Sequence, residues 1–195
     1  MKRIFDIFFS FIGILILSPI FLIIAILIPL DSTGGIFYMQ LRVGKNNIDF
    51  ELFKFRTMQI NADKKGLLTV GARDSRITKV GYYLRKYKLD ELPQLINVLI
   101  GDMSLVGPRP EVRKYVNLYS EQQLNVLSVR PGITDTASLK YFDESELLKK
   151  STDPEKTYIE EIMPTKLNLN LEYIANHTTT KDVEIIFLTV AKIFK

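Results

Sequence analysis

Residues 1–30 constrain what this chain can become more than any other stretch: behind Lys2 and Arg3 it reads IFDIFFSFIGILILSPIFLIIAILIPL, with Asp6 as its only charge. Such a run belongs in a membrane. It has no small-residue cleavage site and exceeds the apolar core of a signal peptide, so it is expected to stay in the mature protein. Ser18 and Pro19 fall in its middle, where proline removes a backbone hydrogen bond and biases the residue before it away from helical geometry. Each half is then about a dozen residues, about 18 Å long, and too short to cross about 30 Å of hydrocarbon. Cations flank both ends, Lys2 and Arg3 before it and Arg42 and Lys45 after it, which gives no asymmetry from which to orient a span. A kinked span and a re-entrant helix-break-helix both satisfy these residues.

Beyond a turn-rich Asp31-Ser32-Thr33-Gly34-Gly35, the chain alternates Phe37, Met39, Leu41 and Val43 with Tyr38, Gln40 and Arg42. This predicts a strand, a turn over Gly44–Asn47 and a second strand from Ile48. Phe53 and Phe55 fall out of phase with Ile48, Phe50 and Leu52, which predicts a bulge near Leu52. Beyond it Lys54 and Arg56 would share a face, as a solvated edge or as an anion contact. The polar stretch from Asn61 to Asp74 reads as a loop that could cover a site. Helical spacing follows over Ile77–Leu84, then short helices after Glu111, from a Ser120/Gln123 capping box, and from Asp153-Pro154 to an end at Pro164. Two further apolar stripes, through Leu167, Leu171 and Ile174 and over Val183–Phe194, complete the chain, the last suited to either the domain or a bilayer surface.

The chemistry concentrates in Lys88–Glu111, KLDELPQLINVLIGDMSLVGPRPE. Leu92, Leu95, Ile96 and Leu99 predict a helix from Asp90 to Ile100, with Asp90 as its N-cap, Pro93 in its first turn and Gly101 at its end. A helix start favours carboxylates and phosphates at one place. An Asp-Glu pair there is also ordinary capping chemistry. Two neighbours turn the pair into a candidate site: Arg85 upstream, and Arg109 held between Pro108 and Pro110, whose fixed φ makes a rigid guanidinium clamp for an anion.

Composition removes competing chemistries. There is no cysteine, hence no thiolate nucleophile or zinc-thiolate site, and the single histidine, His177, lies in a polar stretch. The net charge of +4 calls for an anionic partner, and without a basic, aromatic-interleaved patch nucleic acid is not that partner.

Together with Lys54-Phe55-Arg56-Thr57-Met58 upstream and Arg130-Pro131-Gly132-Ile133-Thr134 downstream, LDELPQLINVLIGDMSLVGPRPE closely resembles the bacterial sugar transferases of the monotopic phosphoglycosyl transferase family, in order and over nearly the whole chain. One departure is Asp135-Thr136-Ala137-Ser138, where many members carry glycine and tryptophan, which bears on sugar choice.

The resemblance implies an α+β, mostly helical fold: a re-entrant anchor over 1–30 broken at Ser18-Pro19, and a catalytic domain over 31–195 with a small β-hairpin and amphipathic interfacial helices around a membrane-surface site. It implies transfer of a phosphosugar from a UDP-sugar to a polyprenyl (undecaprenyl) phosphate, releasing UMP, as the first membrane step of a bacterial glycoconjugate pathway. Asp90 would be the nucleophile and touch Mg²⁺, Glu91 would orient the site or handle a proton, and Arg85, Arg109, Lys54, Arg56, Pro108, Pro110 and Arg130 would bind substrate. It also implies the cytoplasmic face of the bacterial inner membrane, contact with membrane lipid, homodimers as one assembly, and a minimal form of the family. A UDP-releasing glycosyltransferase and a non-catalytic membrane scaffold are the alternatives.

Overall fold

The computed structural model describes residues 2–62, 66, 68–71 and 74–193. The architecture is mostly helical with two small sheets. Helix α1 (Lys2–Asp31) leads into the antiparallel hairpin β1 (Phe37–Val43) and β2 (Asp49–Phe55). Helix α2 (Lys79–Lys86) and α3 (Gln94–Ile100) follow, then the short strand β3 (Ser104–Val106), α4 (Arg113–Val116) and α5 (Glu121–Leu124). Strand β4 (Gly132–Thr134) pairs in parallel with β3, and α6 (Thr136–Lys140), α7 (Glu144–Lys149), α8 (Pro154–Thr157), α9 (Met163–Ala175) and α10 (Thr179–Ile193) close the chain. The loop expected to act as a cover falls partly outside the described residues.

Helix α1 does not part into two helices at Ser18-Pro19; it continues through both residues. Pro19 leaves the Leu15 carbonyl without its helical donor, and the Ser18 hydroxyl donates to that carbonyl at 2.8 Å, so the side chain repairs what the ring removes. The helix is fastened to the rest of the molecule at both ends. At its start Lys2 meets Asp182 at 2.5 Å, Arg3 donates to the carbonyls of Val98 and Leu99 at the end of α3, and buried Asp6 accepts from Ser104 Oγ and Leu105 N–H, each at 3.1 Å. Near its end Ile24 and Ile28 join Phe55 and Leu84 in one core cluster, and Asp31 accepts the Val80 N–H at 2.8 Å in the first turn of α2. A cation at one helix end and a carboxylate at another helix start both match the helix dipole. Between these fastenings Leu15, Ile16, Ser18, Pro19, Ile20, Leu22 and Ile23 are exposed.

The bulge expected near Leu52 is absent, and β1 and β2 pair one to one from Phe37↔Phe55 to Val43↔Asp49. The phase change reflects apolar cover on both faces instead. Leu52 packs with Val98 and Met103 on one side, while Phe55 meets Phe21 of α1 and stacks on Phe37 on the other. The free edge of β2 is held by Asn97 of α3, whose amide accepts the Phe53 N–H at 2.9 Å and donates to the Glu51 carbonyl at 2.7 Å. A side chain thus does the work of a third strand.

The capping box at Ser120 and the Asp153 cap with Pro154 behind it are both present. Pro164 does not end a helix: it sits in the first turn of α9, where its missing N–H has little to break. A π-helical turn, Tyr158–Ile162, carries α8 into α9. Tyr115, Val126, Leu148, Tyr158 and Leu167 form the core beneath these helices.

Candidate active site

Asp90 lies in a tight 3₁₀ turn, Leu89–Glu91, rather than at the N-cap of α3; that position falls to Pro93. Proline cannot donate the N–H that would extend α3 backwards, so the helix proper starts at Gln94 and ends as expected at Gly101, in the left-handed region at φ 109°. The chain enters the 3₁₀ turn through Lys88, also left-handed at φ 54°, an uncommon conformation for a side-chain-bearing residue. This reversal after α2 tucks Asp90 inwards until it is only 6% exposed.

A cavity of about 1110 Å³ opens over the turn, lined by Lys54, Arg85, Lys88, Asp90, Glu91 and Arg109 among others. Glu91 is committed: both terminal guanidinium nitrogens of Arg109, Nη1 and Nη2, donate to it, and Lys54 Nζ lies 3.5 Å away. Burial pushes its carboxyl up, but the charges of Arg109 and Lys54 outweigh that and hold it well below the usual carboxylate range. The same ion pair holds Arg109 firmly protonated. Lys54 is drawn down to about 8, because burial disfavours its ammonium and the Glu91 charge offsets that only in part.

Asp90 differs from every other acid on the cavity wall. Glu91 has Arg109, Glu111 has Arg42 and Glu144 has Lys166. Among the described residues, no hydrogen bond or ion pair engages the Asp90 carboxylate. Burial, and next the Glu91 charge, push its carboxyl up, against the opposing charges of Lys54, Arg85 and Lys88. A desolvated, unpaired carboxylate in a cationic cavity has the chemistry to serve either as a nucleophile or as a cation ligand. No group of three side chains able to hold a metal exists among the described residues. Asp90 still suits Mg²⁺, which is commonly held by one or two carboxylates with substrate phosphates completing its shell.

The rigid turn carrying Arg109 is built by glycine contact. A Cβ on Gly132 would stand 2.1 Å from the Gly107 nitrogen, so β3 and β4 meet at a point only two glycines allow. The turn is then held from both sides: buried Asp135 accepts the Arg109 N–H at 3.0 Å, and Arg42 of β1 donates to the Pro110 carbonyl at 3.0 Å and to Glu111 at 3.1 Å. Asp135 and Arg42 escaped the sequence reading as site residues. The departure at Asp135 was visible in the sequence, but its buried position under Arg109 was not.

Lys54, Arg56, Arg85, Arg109 and Pro110 all line the cavity. Arg56, however, spends its guanidinium on the end of α1, donating to the Gly35 and Ser32 carbonyls and the Ser32 hydroxyl. Pro108 is buried behind the turn, its carbonyl accepting the Gly132 N–H at 3.0 Å. Arg130 is exposed and donates to the Gly101 carbonyl at 2.7 Å, apart from the cavity. Two wall atoms, Ser138 Oγ and Asn170 Oδ1, are buried without a hydrogen-bond partner, a state that ligand contact would relieve.

A family model described as bacterial sugar transferase matches residues 1–195. The chain is 38% identical, over 98% of its length, to the UDP-N-acetylgalactosamine-undecaprenyl-phosphate N-acetylgalactosaminephosphotransferase of Aeromonas hydrophila, of which it covers 43%. It is 35% identical, over its full length, to the UDP-glucose:undecaprenyl-phosphate glucose-1-phosphate transferase of Escherichia coli strain K12, covering 40% of that protein. It thus spans less than half of either relative. With the exopolysaccharide production protein PSS of Rhizobium leguminosarum bv. phaseoli it shares 38% identity, covering 93% of that protein.

Proposed function

Because the chain belongs to the bacterial sugar transferase family, we propose that it moves a phosphosugar from a UDP-sugar to undecaprenyl phosphate, releasing UMP. The observation that carries this reading is the isolation of Asp90, the one acid on the cavity wall without a cationic partner among the described residues.

The Asp90 carboxylate attacks the β-phosphorus of the donor. The bond from that phosphorus to the bridging oxygen breaks, UMP leaves, and an acyl-phosphate ester joins Asp90 to the phosphosugar. A phosphate oxygen of the lipid then attacks the same phosphorus, forming the diphosphate and returning Asp90 as carboxylate. Arg109 and Lys54 disperse the charge that builds on the transferring group, and the Glu91 partnership keeps Arg109 aimed at it. Asp90 would hold Mg²⁺ together with donor phosphates; bound there, the ion supplies neutralisation between the two anionic reactants. Ser138 and Asn170 would meet the hydroxyl or amide groups of the donor.

The anchor suits a lipid acceptor. Both ends of α1 fasten to the catalytic body while the stretch around Ser18-Pro19 stands exposed, which supports a helix that dips into one leaflet and returns. We place the catalytic body on the cytoplasmic face of the inner membrane, where nucleotide sugars are made. With no native cysteine, Lys2→Cys and Lys45→Cys variants report the topology cleanly: an impermeant maleimide should reach both from the same side, and labelling from opposite sides would make the helix a span.

The deciding experiment incubates purified protein with Mg²⁺ and a panel of UDP-sugars, with and without undecaprenyl phosphate, resolving UMP from UDP. UMP that turns over only with lipid, and a phosphosugar adduct on Asp90 without it, is the expected outcome. Release of UDP would make the protein a glycosyltransferase.

A further inference from the structure

The cavity over Asp90 does not end at the charged cluster. Its lining also takes in apolar side chains of two helices. One wall is α1, through Phe9, Gly13 and Leu17; the other is α10, through Ile186, Phe187 and Val190. These positions fall at helical spacing, so each set is a single stripe. Stripes of this kind ordinarily interdigitate, yet Phe187 remains 73% exposed, Val190 49% and Phe9 47%. Leu92, next after the Asp90 turn, and Leu95 of α3 line the same cavity, within a few residues of Asp90 itself. Two contacts fix where α10 lies: Lys2 ties the start of α1 to Asp182 in α10, and Thr134 of β4 bonds Thr189 at 2.7 Å.

We propose that this α1–α10 groove is the binding site for the isoprenoid chain of the lipid phosphate acceptor, rather than a patch of bilayer-facing surface. The inference rests on the function proposed above. Continuity and charge select the occupant: one cavity is lined both by the cations Lys54, Arg85, Lys88 and Arg109 and by the aliphatic and aromatic side chains of α1 and α10. A molecule with a phosphate head and a long hydrocarbon tail matches both sets at once, while a nucleotide sugar matches only the first. The groove would thereby fix which phosphate oxygen reaches the reacting phosphorus, since the tail orients the head.

The test uses full-length protein in detergent, where bilayer attachment is removed from the readout, with a chain-length series of polyprenyl phosphates as acceptors. Phe187→Gln and Val190→Gln, alone and combined, alter exposed positions and should leave the fold intact. The double variant should raise KM for undecaprenyl phosphate about tenfold or more, with kcat little changed. It should leave KM for a two- or three-isoprene phosphate, and UMP release from donor alone, as in the unaltered protein. Equal losses for short and long acceptors, or no change with the long one, would overturn the groove assignment. If the unaltered protein releases no UMP with any acceptor, the fault lies with the proposed reaction and not with the groove, so the two failures are distinct.

Discussion

At the level of single residues, two neighbouring carboxylates take opposite roles because of what surrounds them. Glu91 is clamped by Arg109 and Lys54, while Asp90 is buried beside it with no partner among the described residues. Asp90→Asn should preserve the thermal transition and lower turnover at least about a thousand-fold, checked by UMP release alongside circular dichroism. Activity should also be bell-shaped in pH. The rate rises as the elevated Asp90 carboxyl ionises and falls as Lys54 loses its proton near 8, because the active form needs Asp90 deprotonated and Lys54 charged. Lys54→Arg keeps the charge and should shift the falling limb to higher pH; an unmoved limb would assign it to another group. Residue types at this site were legible in the sequence, because an Asp-Glu pair near an arginine flanked by prolines is written locally. Their partners were not. Arg42 lies 68 residues from the Pro110 carbonyl it holds, and no spacing announces that contact.

At the level of elements, the β3–β4 contact is the most demanding piece of geometry. Gly132→Ala would force a methyl group against the Gly107 backbone and push the Arg109 turn out of place. A loss of about 3 kcal/mol is expected, measured by denaturant unfolding, together with a donor KM that rises because the guanidinium moves. Recovered stability with unchanged kinetics would show that the strands can part without consequence. Helices were legible where caps and stripes coincide, as at Ser120 and Asp153. Pro164 was misread as an end, since it falls in the first turn of α9 behind the π-helical turn; at Pro19 helix α1 continues, and the Ser18 hydroxyl takes up the carbonyl that the ring leaves free. The phase change at Phe53 and Phe55 likewise looked like a bulge, since alternation assumes one buried face and the hairpin has two.

At the level of the whole molecule, α1 is joined at points about 37 Å apart along the helix, estimated from 1.5 Å per residue between Asp6 and Asp31. Asp6→Ala and Asp31→Ala should each lower stability by about 1–3 kcal/mol, through the unpaired donors they leave at Leu105 and Val80. Their effects should add in the double variant, because sites so distant share no partners; melting curves in detergent check this. Marked non-additivity would mean the helix transmits strain between its ends. The apolar run over 1–30 is plain in the sequence, but its packing partners are not. Ile24 and Ile28 are 3% and 2% exposed, enclosed with Phe55 and Leu84. Helix α1 is therefore also a wall of the interior. Trimming it away would uncover Phe55 and take one wall from the cavity over Asp90, so the body that holds Asp90 is finished only by the apolar helix that precedes it.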